Sequence, residues 1–264
     1  MEWIVGYVAI GAAVGFFAGL LGIGGGAIMV PLLVMLFEEQ GLPREHILHL
    51  AVGSGMATIL FTAASSSRSH AARGGVRWDI VKTMTPGILL GGLIGSAVAG
   101  VIPTRLFALL FCLIVYLASA NMFFDRKPPP SRNVPGWLGM SIAGFAISAA
   151  SAFAAIGGAF MTVPFLLWSN VPMLQAIGTA AAVGFPIAVA GTVGFVVAGL
   201  AQTGLPAWSI GYVYLPAFAG IAITSVLVAP LGVAIAHRLP TRALKKIFAC
   251  LLFVMASKML WGFW

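Results

Sequence analysis

Two glycine clusters carry most of the chemical information in this chain. Gly22, Gly24, Gly25 and Gly26 interrupt one apolar run, and Gly157 and Gly158 interrupt another. At membrane depth such irregular backbone survives only where protein buries it or where it lines a cavity. A short apolar segment of about a dozen residues follows each break, so a helix N-terminus must point into the interior. Its N–H groups and the positive end of the helix dipole favour an anion without any charged side chain. Gly24, Gly25, Gly26, Gly157, Gly158 and Ala159 are therefore the expected backbone contacts. Hydroxyls stand close by in sequence. Ser54 and Thr58 are four apart on one helical face, Thr179 repeats Ser54, and Ser148, Ser151 and Thr162 flank the second break. A hydroxyl can hold an oxyanion without the desolvation cost of a buried charge. Ser54, Thr58, Thr162 and Thr179 are the candidate side-chain donors.

The same residue types also serve packing. Gly11, Gly15 and Gly19, like Gly87, Gly91 and Gly95, sit at four-residue spacing on continuous helices and let neighbours approach closely. Serine and threonine commonly bridge helices too. The two breaks stand apart because they recur at matched positions.

What is missing narrows the chemistry further. No Asp or Glu falls inside an apolar run: Glu38, Glu39, Glu45, Asp79 and Asp125 lie in or beside loops, and Glu2 is near the start. Intramembrane carboxylates are the usual proton or sodium relays, so a carboxylate-coupled pump and cation substrates are disfavoured. His49 is read as an interfacial polar contact able to titrate near the outer surface. Gly53-Ser54-Gly55 with His49 nearby suggests an intramembrane serine protease, but a nucleophile needs its base within hydrogen-bond reach. His49 is five residues before Ser54 and off its helical face. Cys112 and Cys250 read as small buried hydrophobes, with no metal spacing or disulfide framework. No cofactor and no metal are expected.

The elements that hold these residues follow from composition. Of 264 residues, 61% are hydrophobic and 8% charged, against about a quarter charged in a soluble domain. The formal charge of +8 reads as basic loops on one side of a membrane and not as a nucleic-acid surface. The opening residues lack the basic start of a cleavable signal. Apolar runs are expected at 3–21, 24–37, 47–64, 80–101, 104–124, 137–155, 157–168, 174–200, 208–236 and 241–261. Pro128-Pro129-Pro130 marks a linker, because a proline run stays extended. This gives a first transmembrane repeat at 1–124, a cytoplasmic linker at 125–135 and a second repeat at 136–264.

The second series echoes the first. Ile23 to Pro31 aligns with Ile156 to Pro164, and Ala51-Val52-Gly53-Ser54 with Ala176-Ile177-Gly178-Thr179. Trp78 and Pro86 are paired with Trp208 and Pro216, and Pro103-Thr104-Arg105 with Pro240-Thr241-Arg242. Eleven of the fourteen Lys and Arg residues fall in three clusters: Arg68, Arg73, Arg77 and Lys82; Arg126, Lys127 and Arg132; and Arg238, Arg242, Lys245 and Lys246. All three should face the cytoplasm. Equivalent loops of the two halves then carry opposite charge character, the mark of inverted repeats. This works only if each glycine-broken opening segment returns to its own side as a hairpin. The expected fold is all-α and polytopic: two inverted repeats, each a hairpin plus three spanning helices, with both termini periplasmic.

The motif Gly15-Phe16-Phe17-Ala18-Gly19-Leu20-Leu21-Gly22-Ile23-Gly24-Gly25-Gly26 followed by Pro31, its echo before Pro164, the stretch Gly74-Gly75-Val76-Arg77-Trp78 and Gly178-Thr179 resemble the sulfite exporter TauE/SafE family over nearly the whole chain. The second break departs by one glycine, reading Gly-Gly-Ala. The resemblance implies bacterial inner-membrane export of sulfur oxyanions or organosulfonates, such as sulfite or sulfoacetate. The residues themselves point to a small anion, moved by a secondary transporter whose halves rock against each other. An anion channel would use the same site, and a membrane scaffold is the alternative of another class. The expected partners are a small anionic substrate and membrane lipid; oligomeric state stays open.

Overall fold

The computed structural model describes residues 2–21, 25–124, 133–236 and 241–263. Gly22 and Gly24, the proline run with Arg126, Lys127 and Arg132, and Arg238 lie outside the described residues. The helices are α1 (Glu2–Leu21), α2 (Gly26–Glu39), α3 (Ile47–Ala71), α4 (Trp78–Val101), α5 (Thr104–Phe124), α6 (Trp137–Ala154), α7 (Ala159–Trp168), α8 (Met173–Leu200), α9 (Leu215–Ala236) and α10 (Thr241–Phe263). Among the described residues, six of these helices are long and apolar enough to cross a bilayer: α3, α4, α5, α6, α8 and most of α10. The chain is an all-α polytopic membrane protein.

Most expected runs became helices with shifts of one or two residues. Two differ by more. α3 continues seven residues past 64, through Ser65 to Ala71, because the serines bond within the helix. Ser67 Oγ donates to the Ala64 carbonyl and Ser69 Oγ to that of Ser65, which satisfies polar groups that would otherwise need water. The run expected from 208 begins instead with a β-hairpin, β1 (Ser209–Ile210) paired antiparallel with β2 (Val213–Tyr214). Gly211, at φ 55°, takes the first central position of its tight turn, where a positive φ suits glycine.

Close approaches at small residues give the helix directions. Gly11 lies against Ile221 and Gly15 against Ser225, so α1 and α9 run parallel; Gly87 meets Ser141 and Gly91 meets Phe145, so α4 and α6 do the same. Gly191 touches Met56 and Gly178 touches His70, which makes α3 and α8 antiparallel. Cys112 Sγ contacts the Ala256 carbonyl and Ser119 Oγ donates to that of Ala249, so α5 and α10 are antiparallel as well. Gly92 lies beside Ala190 and Gly100 beside Ala198, aligning α4 with α8. Ser54 meets Tyr214 and Phe61 meets Phe218, so α3 runs parallel to α9, and together these directions oppose α1 to α6, α3 to α8, α4 to α9 and α5 to α10. The repeats are inverted, and each first helix packs mainly on the fourth element of the other half.

The opening segment does return to its own side. Tyr7 Oη and the Gln40 side-chain amide exchange hydrogen bonds of 2.9 and 2.6 Å, tying the start of α1 to the end of α2. Gly262, near the end of α10, faces Glu38, so both ends of the described chain emerge on the face of the loop at 40–46. Arg68, Arg73, Arg77 and Lys82 lie toward the opposite face, with Lys246, whose ammonium stands 5.6 Å from the Phe123 ring at the end of α5.

One repeat pairing needs correction. Ser54 Oγ accepts the Tyr214 N–H at 2.9 Å, and Thr179 Oγ1 accepts the Arg77 N–H at 3.0 Å. Arg77 therefore corresponds to Tyr214, and Trp78 corresponds to Leu215 and not to Trp208. The second half carries an insertion between α8 and α9 that holds the hairpin, and matching Trp78 with Trp208 hides it.

Candidate functional site

The two breaks share one backbone geometry. Gly25 (φ 66°, ψ −13°) caps α2, and Gly158 (φ 71°, ψ −22°) caps α7. This left-handed conformation is readily open to glycine and costs other residues. Each glycine carbonyl accepts the first helical bonds, from Ile28 and Met29 in α2 and from Met161 and Thr162 in α7. The N–H groups of Gly26, Ala27, Ala159 and Phe160 precede those bonds and form the mouths of the two helices. The glycine missing from the second motif stands at Ala159, the first residue of α7, so its loss leaves the cap unchanged.

The breaks meet. A Cβ on Gly26 would collide with the carbonyl of Ala155, the residue that ends α6. Gly55 of α3 faces the Ala155 and Met29 side chains, and Gly184 of α8 faces the Gly157 carbonyl. Gly55 is the ninth of the 25 residues of α3 and Gly184 the twelfth of the 28 of α8, which places the junction in the interior of the bundle. Ala155 itself is left-handed (φ 48°, ψ 29°). A non-glycine residue held there stores strain, a common feature of functional backbone.

The hydroxyls are not equivalent. Ser148 and Thr162 are fully buried, yet Ser148 Oγ and Thr162 Oγ1 make no hydrogen bond among the described residues. Buried hydroxyls almost always find partners; Thr162 stands one turn after the second break, and Ser148 two turns before it, against Gly92 of α4. Repeat counterparts in the first half are Gly15 and Met29, so the polar wall is one-sided. Thr192 Oγ1, Ser209 Oγ and the two His49 nitrogens are likewise buried without a partner among the described residues, away from the breaks in sequence.

Ser54 and Thr179 serve differently. Each accepts from the extended segment that leads into α9 or α4, at opposite ends of the molecule. Gly53 lies against the Tyr212 carbonyl and Gly178 against the Gly75 carbonyl, so each fastening is a close backbone contact as well. Thr58 is buried and donates to the Ser54 carbonyl at 3.0 Å. His49 is buried, not interfacial: its ring packs 4.9 Å from both Tyr212 and Phe107. Ser54 is fastened to the hairpin backbone and His49 is stacked between aromatic rings, so the structure forms no Ser–His pair.

The buried polar residues among those described are His, Ser and Thr alone. The described residues form no cluster suited to a metal. Asp79 stands at the mouth of α4, where the Arg77 guanidinium holds it at 2.9 Å. The Asp79 carboxylate keeps the Arg77 guanidinium protonated well above its usual range.

A family model described as sulfite exporter TauE/SafE matches residues 7–259. The chain belongs to that family. A Haemophilus influenzae relative named "Probable membrane transporter protein" is 37% identical over 95% of this chain and 95% of its own length. Relatives with that description occur in Xylella fastidiosa (strain Temecula1; 26% identical, 96% of this chain and 94% of theirs) and Methanocaldococcus jannaschii (25%, 96% and 94%). No solved structure matches the chain. Family membership and fold together make this member a multi-pass membrane transporter and not an enzyme.

Proposed function

We propose that this transporter moves a small anion, a sulfur oxyanion or organosulfonate such as sulfite or sulfoacetate, outward across the bacterial inner membrane. One observation carries the reading: the two glycine breaks, each capping a helix, meet inside the bundle, with Thr162 and Ser148 buried nearby without partners and no charged side chain buried among the described residues. Gly24, Gly25, Gly26, Gly157, Gly158 and Ala159 would present backbone to the anion. Thr162 Oγ1 of α7 and Ser148 Oγ of α6 would donate. Helix dipoles and neutral donors stabilise negative charge, and the lack of a buried carboxylate removes the group that would repel it.

Ser54 and Thr179 would act at the two exits. Each hydroxyl oxygen accepts a backbone N–H while keeping its own hydrogen to donate. Releasing Ser54 from Tyr214 would open the site toward one face, and releasing Thr179 from Arg77 toward the other. Rocking of inverted repeats about a fixed midplane site works in this way. By the positive-inside rule the face with Arg68, Arg73, Arg77 and Lys82 is cytoplasmic, with 125–135 as a cytoplasmic linker between repeats at 1–124 and 136–264, and both termini periplasmic.

The test is uptake into proteoliposomes of sulfite, thiosulfate, sulfate and sulfonates, compared between the native chain and Thr162→Val. Saturable movement of one of these anions against its gradient, weakened by the substitution, supports the reading. Downhill flux alone would make the protein a channel, and no flux of any anion would sink the proposal.

A further inference from the structure

A groove of about 660 Å³ runs between α3, α4 and α8 on the lipid-facing surface, and its lining includes Arg68, Ser67, Trp78, Leu89, Phe185 and Val189. Its two ends differ. Arg68, Ser67 and Trp78 lie at the basic face, and from there the lining is apolar except for Thr85, whose hydroxyl is already spent on the Val81 carbonyl. From Trp78 to Leu89 the groove follows eleven residues of α4, or about 16 Å at about 1.5 Å per residue. That is the depth of one leaflet of a hydrocarbon core about 30 Å thick. The Arg68 side chain makes no hydrogen bond or ion pair among the described residues, although Arg77 nearby is paired with Asp79.

The inverted repeat supplies an internal comparison. The counterparts of Pro186 and Val81 in this groove are Phe61 and Phe218, whose rings pack 5.7 Å apart and fill the equivalent position near the other face. The counterpart of Arg68 is Val193. Among the described residues, the equivalent place near the other face therefore carries two packed phenylalanines and a valine where the groove has open space and a cation.

We propose that this groove is a binding site for an anionic phospholipid of that leaflet, with one acyl chain along α4 and α8 and the headgroup phosphate on the Arg68 guanidinium. A free guanidinium at the interface attracts the phosphate, the Trp78 indole suits the headgroup level, and the leaflet-length apolar channel excludes a small soluble anion as the occupant.

The experiment is native mass spectrometry of the purified full chain with phosphatidylglycerol or phosphatidylcholine, paired with thermal-shift measurements in the same lipids. The native chain should retain phosphatidylglycerol preferentially and melt higher with it. Arg68→Gln should lower that affinity about fivefold, one interfacial charge, and bring the two lipids level. Val189→Trp, which fills the groove and leaves the charge, should remove the bound lipid, while Arg44→Gln near the other face should change nothing. Equal retention of both lipids by the native chain, or undiminished selectivity in Arg68→Gln, would overturn the proposal. Lipid binding is read without transport, so this outcome is independent of the substrate assignment.

Discussion

Ser148 and Thr162 separate stability from function at the scale of single residues. Neither hydroxyl has a partner among the described residues, so Thr162→Val should leave the melting temperature unchanged or raise it. A hydrogen bond to a charged group is worth about 1.5–3 kcal/mol, so anion affinity should fall roughly tenfold or more. Titration of the anion against thermal stability reads both effects. Gly26 and Ala155 make the complementary pair. Gly26→Ala drives a methyl into the Ala155 carbonyl and should destabilise by about 1–3 kcal/mol, the usual cost of overpacking. Ala155→Gly relieves a left-handed alanine and should stabilise by about 1 kcal/mol. Unfolding midpoints of the two variants should therefore move in opposite directions.

Among the elements, the two extended segments leading into α4 and α9 matter most, because each is held by one hydroxyl from the other half. Removing that acceptor leaves a half-buried N–H without its partner, at a cost of about 1 kcal/mol, enough to favour opening severalfold. With Cys112 and Cys250 replaced and a reporter cysteine at Ser151, Ser54→Ala should increase maleimide labelling from the face of Glu38. Thr179→Val should increase it from the face of Arg77. Equal labelling of both variants from both faces would mean the fastenings do not control access. These segments were not legible as gates in the sequence. Ser54 and Thr179 looked like substrate donors because their hydrogen-bond partners, the backbone of Tyr214 and Arg77, are 160 and 102 residues away.

For the molecule as a whole, inversion brings Arg68, Arg73, Arg77 and Lys82 to the same face as Lys246 near the start of α10. Fusion reporters at 70 and 240 should therefore report the same side, and opposite signals would refute the proposed sidedness. The two-fold exchange of α1 with α6 and α4 with α9 also explains why the bundle is dense with small residues. Helix pairs that cross between halves have little hydrophobic drive in lipid and rely on close contact, as at Gly87 and Ser141 or Gly15 and Ser225.

The amino-acid sequence by itself determined the class of molecule, because composition and run length alone decide whether a chain can live in a bilayer. It also determined the duplication, the two breaks and the inversion, since glycine positions and loop charge are properties of the linear chain. Tertiary structure decided what lies against what. Only packing brought Gly26 onto Ala155, left Ser148 and Thr162 without partners, buried His49 between Phe107 and Tyr212, and set the hairpin at 209–214 into the second half. Each of these depends on contacts between residues far apart in the chain, and residue type and local spacing do not encode them.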